Sequence, residues 1–568
     1  MVKKLLLGGL LLSLVVVITA YQVFKRPAPE ASQAFINGVV LTMDRQNNQA
    51  EAVLLEGDRI AAVGSSDAIK ALAGPDAVIH DLQGKTLMPG FIDAHGHFPG
   101  SGMDAFAINL ASPPIGSVKS IDQLLKRVGH EAAQVAEDEW VFGYGYDDTL
   151  LAEKRHPSRD ELDMVASDRP VLLMHASGHL AVANSRALAM AGISQESADP
   201  EGGVYGRDSE GRLNGLLEET AAVDLQMQAT DISAIKFLKM LSYAADEYAS
   251  QGVTTAQSGA TPKMLGEGLS LASRLGLIPF RLEVWPLFDE WGAELLETPE
   301  AVADYDTDLF NVGAIKLIAD GSIQGYTGYL SKPYHQPFHG DEDYRGYPRT
   351  PLPELRDWVE KYHRAGFQMA IHGNGDGAMD DIITAFTEAQ QKHPVADPRL
   401  ILIHAQMARE DQLLAMKELG ITPSFFSAHT YYWGDRHRNI FMGPERAANM
   451  SPARSAANID LPYTIHLDTP IVPMEPLFLV WSAVNRETRS GFVVGEHQRL
   501  TVMEALRAVT IEAAWQIFRE QDLGSIEAGK QADLVVLDKN PLLFPKTLKD
   551  IKVERTYVAG LEIYNKGS

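Results

Sequence analysis

The chain contains a series of apolar segments that each end in a side chain able to bind a metal ion. FIDAHGH ends in His95 and His97, AIH ends in His372, and LILIH ends in His404. Side chains alternate along a β-strand with a period of two, so His95 and His97 project from the same face of their strand. A lone HxH pair is often incidental. The recurrence of a histidine at the ends of further apolar segments predicts parallel strands whose carboxyl ends surround one site.

The spacing of these segments fits a repeated strand–helix unit. His404 follows His372 by 32 residues, and Asp468, in the segment PYTIHLDTP, follows His404 by 64 residues. A strand–helix–strand unit needs about 30 residues or more, so these intervals match one and two units. Residues 421–429 (ITPSFFSAH) supply the intervening strand. The sequence therefore predicts that His372, His404 and Asp468 follow strands 5, 6 and 8 of a parallel α/β arrangement.

One apolar segment, VGAIKLIAD at residues 312–320, has a lysine inside it, Lys316. A buried ammonium group is costly unless it is paired or modified. Two interpretations remain open. Lys316 either extends its charged end out of the strand toward water, or its amine is carboxylated by CO₂ and becomes an anionic oxygen ligand that bridges two metal ions.

Composition narrows the chemistry. The chain has no cysteine, which excludes disulfides, iron–sulfur clusters and thiolate ligands, so histidine and carboxylate must hold any metal. Asp and Glu number 75 against 50 Lys and Arg, for a net charge of −25. Nucleic acids and anionic membrane surfaces attract cations, so this charge argues against both as partners. The apolar fraction of 45% excludes global disorder.

The N-terminus predicts export. Lys3 and Lys4 precede an apolar run at residues 5–24, which Lys25 and Arg26 close. About 20 apolar residues suffice to span a bilayer as a helix, which favours an uncleaved transmembrane signal anchor. A cleaved signal peptide is the other interpretation, although its apolar region is usually about 7–15 residues long. Both interpretations place residues 1–26 outside the fold and the rest of the chain in the periplasm or outside the cell. The signal anchor would in addition hold the protein in the inner membrane.

Several motifs together resemble the amidohydrolase superfamily: PGFIDAHGH, GSIEAGKQADLVVLD and the ordered Lys, His, His and Asp set. KLIADGSIQGYTGYL, HGNGDGAMD and HLDTPIVPMEPL are similar to amidohydrolase family 3, in the branch of N-substituted formamide deformylase. The resemblance covers nearly all of the chain after residue 30. It implies a (β/α)₈ TIM-type barrel at residues 90–489, with an inserted α/β subdomain at about 98–248. It also implies a small β-sandwich that both chain ends form, from residues 31–89 and 490–568.

The resemblance further implies a metal site and a reaction. The implied ligands are His95, His97, a carboxylated Lys316, His372, His404 and Asp468. Asp468 would also be the general base, and the metal would be one or two divalent ions, zinc foremost. The implied activity is hydrolysis of a non-peptide C–N bond in a small-molecule amide or N-formyl or N-acyl amine. A deaminase, a cyclic-amide hydrolase and a non-catalytic binding protein remain alternatives, and the oligomeric state stays open.

A second group of side chains is predicted to lie around the mouth of the site. We expect these residues to contact substrate: His179, Asp320, Asp376, His429, Trp433 and His466. His179 belongs to the insertion, and His466 lies two residues before Asp468 on the same strand face. For each of them, a structural role in a turn or in packing remains the alternative.

Overall fold

The computed structural model describes residues 27–136, 139–229 and 233–567. Within these segments the strands form five sheets, of which two contain only parallel strands. The first parallel sheet has the order Phe310–Val312, Arg281–Pro286, Val253–Thr261 and Phe91–Ile92. The second has the order Ile315–Ile318, Met369–Gly373, Leu400–His404, Ile421–Phe425 and Thr464–Ile465. Almost every residue of these strands is buried, as expected for parallel strands covered on both faces.

The two parallel sheets approach each other at both edges without joining into one closed sheet. A single parallel bridge connects Leu287 to Lys316. On the other side, the Asp468 N–H donates to the His95 carbonyl at 3.2 Å, and the His97 N–H donates to the Thr469 carbonyl at 2.8 Å. The described residues therefore form an α/β structure, as predicted, and the predicted closure into a barrel is not seen as a continuous ladder.

Helices cover the parallel sheets, and their apolar faces explain why. In Leu352–Ala365, Leu355, Val359 and Tyr362 recur at helical spacing and are buried, which is the pattern of a helix packed on one side. Gly366 ends this helix with a φ of 84°, a conformation that glycine adopts without strain. The α-helices of the described residues are Ser66–Leu72, Ile121–Ala132, Arg159–Val165, Ser185–Met190, Thr220–Ala229, Ala234–Ser250, Lys263–Arg274, Trp291–Glu297, Leu352–Ala365, Asp376–Lys392, Glu410–Leu419, His429–Tyr432, Gly434–Arg436, Gly443–Ala448, Ala453–Asn458, Pro476–Asn485, Val502–Ala508 and Ile511–Gln516.

Strands from the two ends of the chain share one sheet. Its order is Leu561–Asn565, Val553–Val558, Leu534–Leu537, Thr86–Pro89, Val39–Leu41 and Gln49–Ala50. A four-stranded sheet of N-terminal strands accompanies it, in the order Arg59–Gly64, Ala52–Glu56, Ser32–Ile36 and Val78–Asp81. A buried ion pair between Arg281 Nε and Asp533 Oδ2, at 2.7 Å, connects the shared sheet to the first parallel sheet.

A further six-stranded sheet lies within the stretch that separates Phe91–Ile92 from Val253–Thr261. Its order is Gly203–Arg207, Leu213–Glu219, Leu180–Ala183, Val171–His175, Val141–Tyr146 and Ile108–Asn109. Its two faces have apolar clusters of their own. His179 lies in the turn between two of its strands, so this sheet controls where that side chain is held.

The prediction of a transmembrane segment needs correction. Among the helices of the described segments, none combines the length and the apolar composition that a bilayer crossing demands. The apolar run at residues 5–24, on which the prediction was based, lies outside the described residues.

Candidate metal centre

Three of the predicted ligands, His95, His97 and His404, surround the carboxylate of a fourth, Asp468. Its Oδ1 lies 3.4 Å from His95 Nε2 and 3.2 Å from His97 Nε2. Its Oδ2 lies 4.0 Å from His404 Nε2. Donor atoms of His95, His404 and Asp468 all lie within 4.8 Å of one another. Residues far apart in the sequence thus present three nitrogen atoms and a carboxylate to one point.

Lys316 and His372 complete the predicted set. Lys316 Nζ lies 3.3 Å from His95 Nε2, and the His372 ring lies 4.5 Å from the His404 ring, centroid to centroid. Burial lowers the pKa of Lys316 to about 7, although the negative charge of Asp468 raises it. A substantial fraction of the amine is therefore uncharged near neutral pH.

The four histidines are all oriented by a hydrogen bond at Nδ1. The partners of His95, His97, His372 and His404 are, in that order, Gln257 Oε1 at 3.1 Å, the Gly259 carbonyl at 2.9 Å, Asp320 Oδ1 at 3.1 Å and His466 Nε2 at 3.0 Å. The three oxygen partners accept, so the Nδ1 atoms of His95, His97 and His372 carry hydrogen. This arrangement leaves Nε2 as the lone-pair atom, which is how proteins orient metal-binding imidazoles.

His466 extends this arrangement to a second imidazole. Its Nδ1 lies 2.8 Å from Ser424 Oγ, and its Nε2 meets His404 Nδ1. A hydrogen on His466 Nδ1 that points to Ser424 leaves Nε2 free to accept from His404. Burial lowers the pKa of His466 to about 3, which is consistent with a neutral relay. The structure therefore places His466 behind a predicted ligand.

Electrostatics favours uncharged histidines and an ionised aspartate. Burial holds the pKa of His95, His372 and His404 well below the ordinary value, and neighbouring positive charges lower it further. Burial alone would raise the pKa of Asp468, but its neighbour His97 brings it below the ordinary value. Neutral imidazoles and a carboxylate are the protonation states that bind a divalent ion.

The backbone at the site is strained. His404, Ala405 and Asp468 have φ values of 71°, 41° and 60°, in the left-handed region that residues other than glycine seldom adopt. Such conformations concentrate at functional sites, where the surrounding structure maintains them. Their presence at two predicted ligands is independent of the distances above.

The other predicted contacts are divided between the mouth of the site and its surroundings. The His179 ring lies 5.2 Å from the His372 ring. Asp320 accepts the backbone N–H groups of Asn374, Gly375 and Tyr329 as well as His372. Asp376 instead pairs with Ser331 and, at 3.1 Å, with Arg409.

The aromatic loop after Ile421–Phe425 packs beside the centre. Trp433 lies 4.5 Å from the His429 ring, and His429 lies 4.3 Å from Phe426, which in turn contacts His466. Trp433 Nε1 donates to Asp147 Oδ2 at 3.1 Å. Arg436 Nη1 donates to both oxygens of Asp147, at 2.9 and 2.7 Å. These contacts join the loop to the inserted sheet.

Sequence reasoning missed three residues that the structure brings to the site. Gln257 orients the imidazole of the predicted ligand His95, and Ser424 orients the imidazole of His466. Glu219 accepts a hydrogen bond from His179 Nδ1 at 2.8 Å. Gln257 had a detectable signal, because it is a large polar residue at the end of the strand-forming segment GVTTAQ. Glu219 had none, since it lies 40 residues from its partner.

Comparison with known proteins agrees with this arrangement. The model of the amidohydrolase family matches residues 78–564. N-substituted formamide deformylase of Arthrobacter pascens is 31% identical over 541 residues, which cover 94% of this chain and 98% of that enzyme. The putative amidohydrolase YtcJ of Bacillus subtilis (strain 168) is 27% identical over 548 residues, covering 93% of this chain and 98% of YtcJ.

Two solved structures are also similar. An uncharacterised metal-dependent hydrolase from Pyrococcus furiosus has a TM-score of 0.69 and 25% identity, with 90% of this chain and 100% of the other covered. Its counterpart from Pyrococcus horikoshii OT3 has a TM-score of 0.72 and 23% identity, with 91% and 99% covered. The family match spans most of the chain, and the site contains the donor set that a divalent metal needs. The chain belongs to the amidohydrolase family.

Proposed function

We propose that this protein hydrolyses the C–N bond of a small N-formyl or N-acyl amine, at a divalent metal held by the six predicted ligands. The observation that carries the proposal is that the Nε2 atoms of three histidines surround Asp468. The Nδ1 atom of each of these rings is hydrogen-bonded to an acceptor on the other side of the ring. Membership of the amidohydrolase family supports a metal-dependent hydrolase acting on amide bonds. The similarity to a formamide deformylase supports the narrower substrate class.

The residues fit a divalent ion. Asp468 Oδ1 is buried without a hydrogen-bond partner in the described structure, and such an atom is costly unless something binds it. The surrounding donors are imidazoles and one carboxylate, a set that suits zinc. His95, His97, His372, His404 and Asp468 would hold the ion.

Lys316 decides whether one ion or two are held. We propose that its uncharged amine reacts with CO₂ to form a carbamate and releases one proton, which would give the site a second anionic ligand and the capacity to hold a second ion. Its burial and its lowered pKa of about 7 support this reaction, because a protonated amine has no lone pair to attack CO₂. An unmodified Lys316 would leave a single ion on the histidines and Asp468.

The chemistry divides between the ion and the protein. A bound divalent ion supplies Lewis acidity, which lowers the pKa of water toward about 7 and polarises a carbonyl. Asp468 accepts a proton from the attacking water and returns it to the leaving nitrogen, as general base and then general acid. His97, with 36% of its side chain exposed, lies at the accessible side of the carboxylate.

We also propose that the two parallel sheets are the halves of one eight-stranded barrel. Phe310–Val312 and Ile315–Ile318 are separated by only two residues and would form a single interrupted strand 4. The hydrogen bonds between His95 and Asp468 and between His97 and Thr469 support contact between strands 1 and 8. In a barrel of this kind the carboxyl ends of the strands form the active site.

Metal analysis and a substrate screen test the proposal. Purified protein should contain one or two equivalents of zinc, iron or manganese, and chelation should abolish activity that added metal restores. The screen would pair N-formyl, N-acetyl and N-acyl-amino-acid substrates with a hydantoin and an aminopurine. Turnover confined to the last two would replace amide hydrolysis with cyclic-amide hydrolysis or deamination. Protein that binds no metal would contradict the proposal.

A further inference from the structure

His179 is held by Glu219 from two directions. The backbone N–H of Glu219 donates to the His179 carbonyl at 2.7 Å, and His179 Nδ1 donates to Glu219 Oε2 at 2.8 Å. His179 immediately precedes the strand Leu180–Ala183, and Glu219 is the last residue of the antiparallel partner strand Leu213–Glu219. The main chain and the side chain together therefore set the orientation of this imidazole.

Glu219 is itself fixed and fully enclosed. Its side chain is 0% exposed, and its φ of 50° is in the left-handed region. Gly321 packs so closely that a Cβ there would lie 2.1 Å from Glu219 Oε1. Arg349 Nη1 lies 4.0 Å from Oε2. A buried carboxylate on a strained backbone lowers the stability of the folded protein. The hydrogen bonds of the sheet use only the backbone of Glu219, so they do not require this side chain.

The turn that carries His179 reaches two sides of the candidate metal centre. The imidazole lies 5.2 Å from the His372 ring. Gly178, with a φ of 74°, lies against Ile471, to which an added Cβ would approach within 3.3 Å. The Ile471 N–H donates to the Asp468 carbonyl at 2.8 Å. The inserted sheet thus places His179 between the segments that supply two ligands.

The free nitrogen of His179 points away from Glu219. Nε2 lies on the opposite side of the ring from Nδ1, and within the described residues it has no hydrogen-bond partner. The side chain is 15% exposed, compared with 6% for His372. His179 therefore presents an unpartnered nitrogen on a partly exposed ring beside His372.

We propose that His179 Nε2 hydrogen-bonds the scissile amide group of the substrate and that Glu219 is the positioning residue that orients it. This inference rests on the proposed amide hydrolysis. A carboxylate that binds Nδ1 determines which ring nitrogen faces the reactants. The insertion is then part of the active site, because it supplies a substrate contact that the parallel sheets lack.

A set of variants of the full-length, metal-loaded protein tests this role. In His179→Asn the amide nitrogen replaces Nδ1 and keeps the bond to Glu219, while Nε2 is removed. We expect kcat/KM for N-benzylformamide to fall at least about 10-fold, the effect of losing one substrate hydrogen bond, with metal content unchanged. Glu219→Gln should reduce kcat/KM less. The double variant should be no worse than His179→Asn alone, since Glu219 acts through His179.

A binding measurement tests the contact without turnover. Acetohydroxamic acid is a metal-binding amide analogue, and its affinity for the Co²⁺-loaded protein can be followed by visible absorption. We expect its Kd to rise at least about 10-fold in His179→Asn. The matched control is the partly exposed pair His393 and Glu360, whose side-chain atoms lie 3.9 Å apart. His393→Asn and Glu360→Gln should leave Kd and kcat/KM unchanged.

The outcomes separate this inference from the proposed function. Wild-type protein that hydrolyses no amide, but loses acetohydroxamate affinity in His179→Asn, would refute the function and retain the contact. Unchanged Kd and kcat/KM in His179→Asn would overturn the contact, and independent losses in the double variant would overturn the role of Glu219. If Glu219→Gln does not fold, as judged by thermal melting, the His179→Asn measurements decide the contact. Failure of acetohydroxamate to bind metal-loaded wild type, together with an unchanged kcat/KM in His179→Asn, would overturn the contact and leave the amide hydrolysis to be judged by wild-type turnover.

Discussion

Asp468 is the residue on which the donor atoms converge, and it is also the only carboxylate among the predicted ligands. Replacing it by asparagine keeps the size of the side chain and removes the proton acceptor. We expect Asp468→Asn to lower kcat by about 10²–10⁴-fold, the usual contribution of a general base, with metal still bound. Elemental analysis and steady-state kinetics measure both effects. Asp357→Asn, in an exposed ion pair with Lys361, serves as the control, and wild-type activity in Asp468→Asn would refute the role.

Lys316 gives a prediction about pH in the metal-free protein. Burial lowers its pKa from 10.5 to about 7, so between these values the unfolded chain binds more protons than the folded chain. The free energy of unfolding therefore rises with pH between about 7 and 10.5. Below pH 7 the buried ammonium lowers that free energy by its full amount. Relative to Lys316→Met, the wild type should gain up to about 5 kcal/mol between pH 7 and 10. Urea unfolding at several pH values measures this, and a difference that does not change with pH would contradict it.

Neighbouring strands support each other at the site, because a residue on one strand orients a predicted metal ligand that follows the other. Gln257, on Val253–Thr261, accepts from His95 Nδ1 at 3.1 Å and from the Gly96 N–H at 2.8 Å. Gln257→Leu should weaken metal affinity about 10–100-fold, as loss of such an orienting partner does elsewhere. Competition with a chromophoric chelator measures the affinity. Gln134→Leu, at an exposed position, should behave as wild type, and equal affinities in both variants would refute the prediction.

The inserted sheet and the loop after Ile421–Phe425 are joined by the ion pair of Asp147 and Arg436, whose side chains are 3% and 11% exposed. Arg436→Met should destabilise the protein by about 3–5 kcal/mol, because it leaves a buried carboxylate unpaired. Burial would raise the pKa of Asp147, but the charges of Arg436 and His175 bring it below the ordinary value. The effect should therefore be present above about pH 4 and shrink as pH falls below it. Chemical unfolding at pH 7 and pH 3 checks both statements.

The sequence predicted which candidate ligands lie together, but it did not predict the residues that orient them. His95, His97, His372, His404 and Asp468 follow apolar strands, and the carboxyl ends of parallel strands converge by geometry. The partners Gln257, Ser424 and Glu219 depend on how neighbouring strands register against each other, which no local pattern encodes. The transmembrane helix was predicted from hydropathy alone, and the described helices offer none.

For the whole molecule, the candidate centre draws ligands from both parallel sheets, so metal should stabilise the entire α/β body. At a free concentration 1,000 times Kd, a ligand of the folded state adds about 4 kcal/mol. Chelation should therefore lower the calorimetric Tm, and stoichiometric zinc should restore it. Calcium, which prefers sites with more oxygen ligands, is the control. Identical melting curves with and without zinc would contradict a metal that links the two sheets.

The sheet shared by the chain ends has a consequence for synthesis. Thr86–Pro89 pairs with Leu534–Leu537, so an early strand has to wait for one of the last segments to be made. Until then it presents an unpaired apolar edge, the kind of surface that promotes aggregation. A product that ends before residue 534 should accumulate in inclusion bodies even though every predicted metal ligand is present. The final strands therefore limit soluble folding to chains that have been synthesised at least as far as Leu534–Leu537.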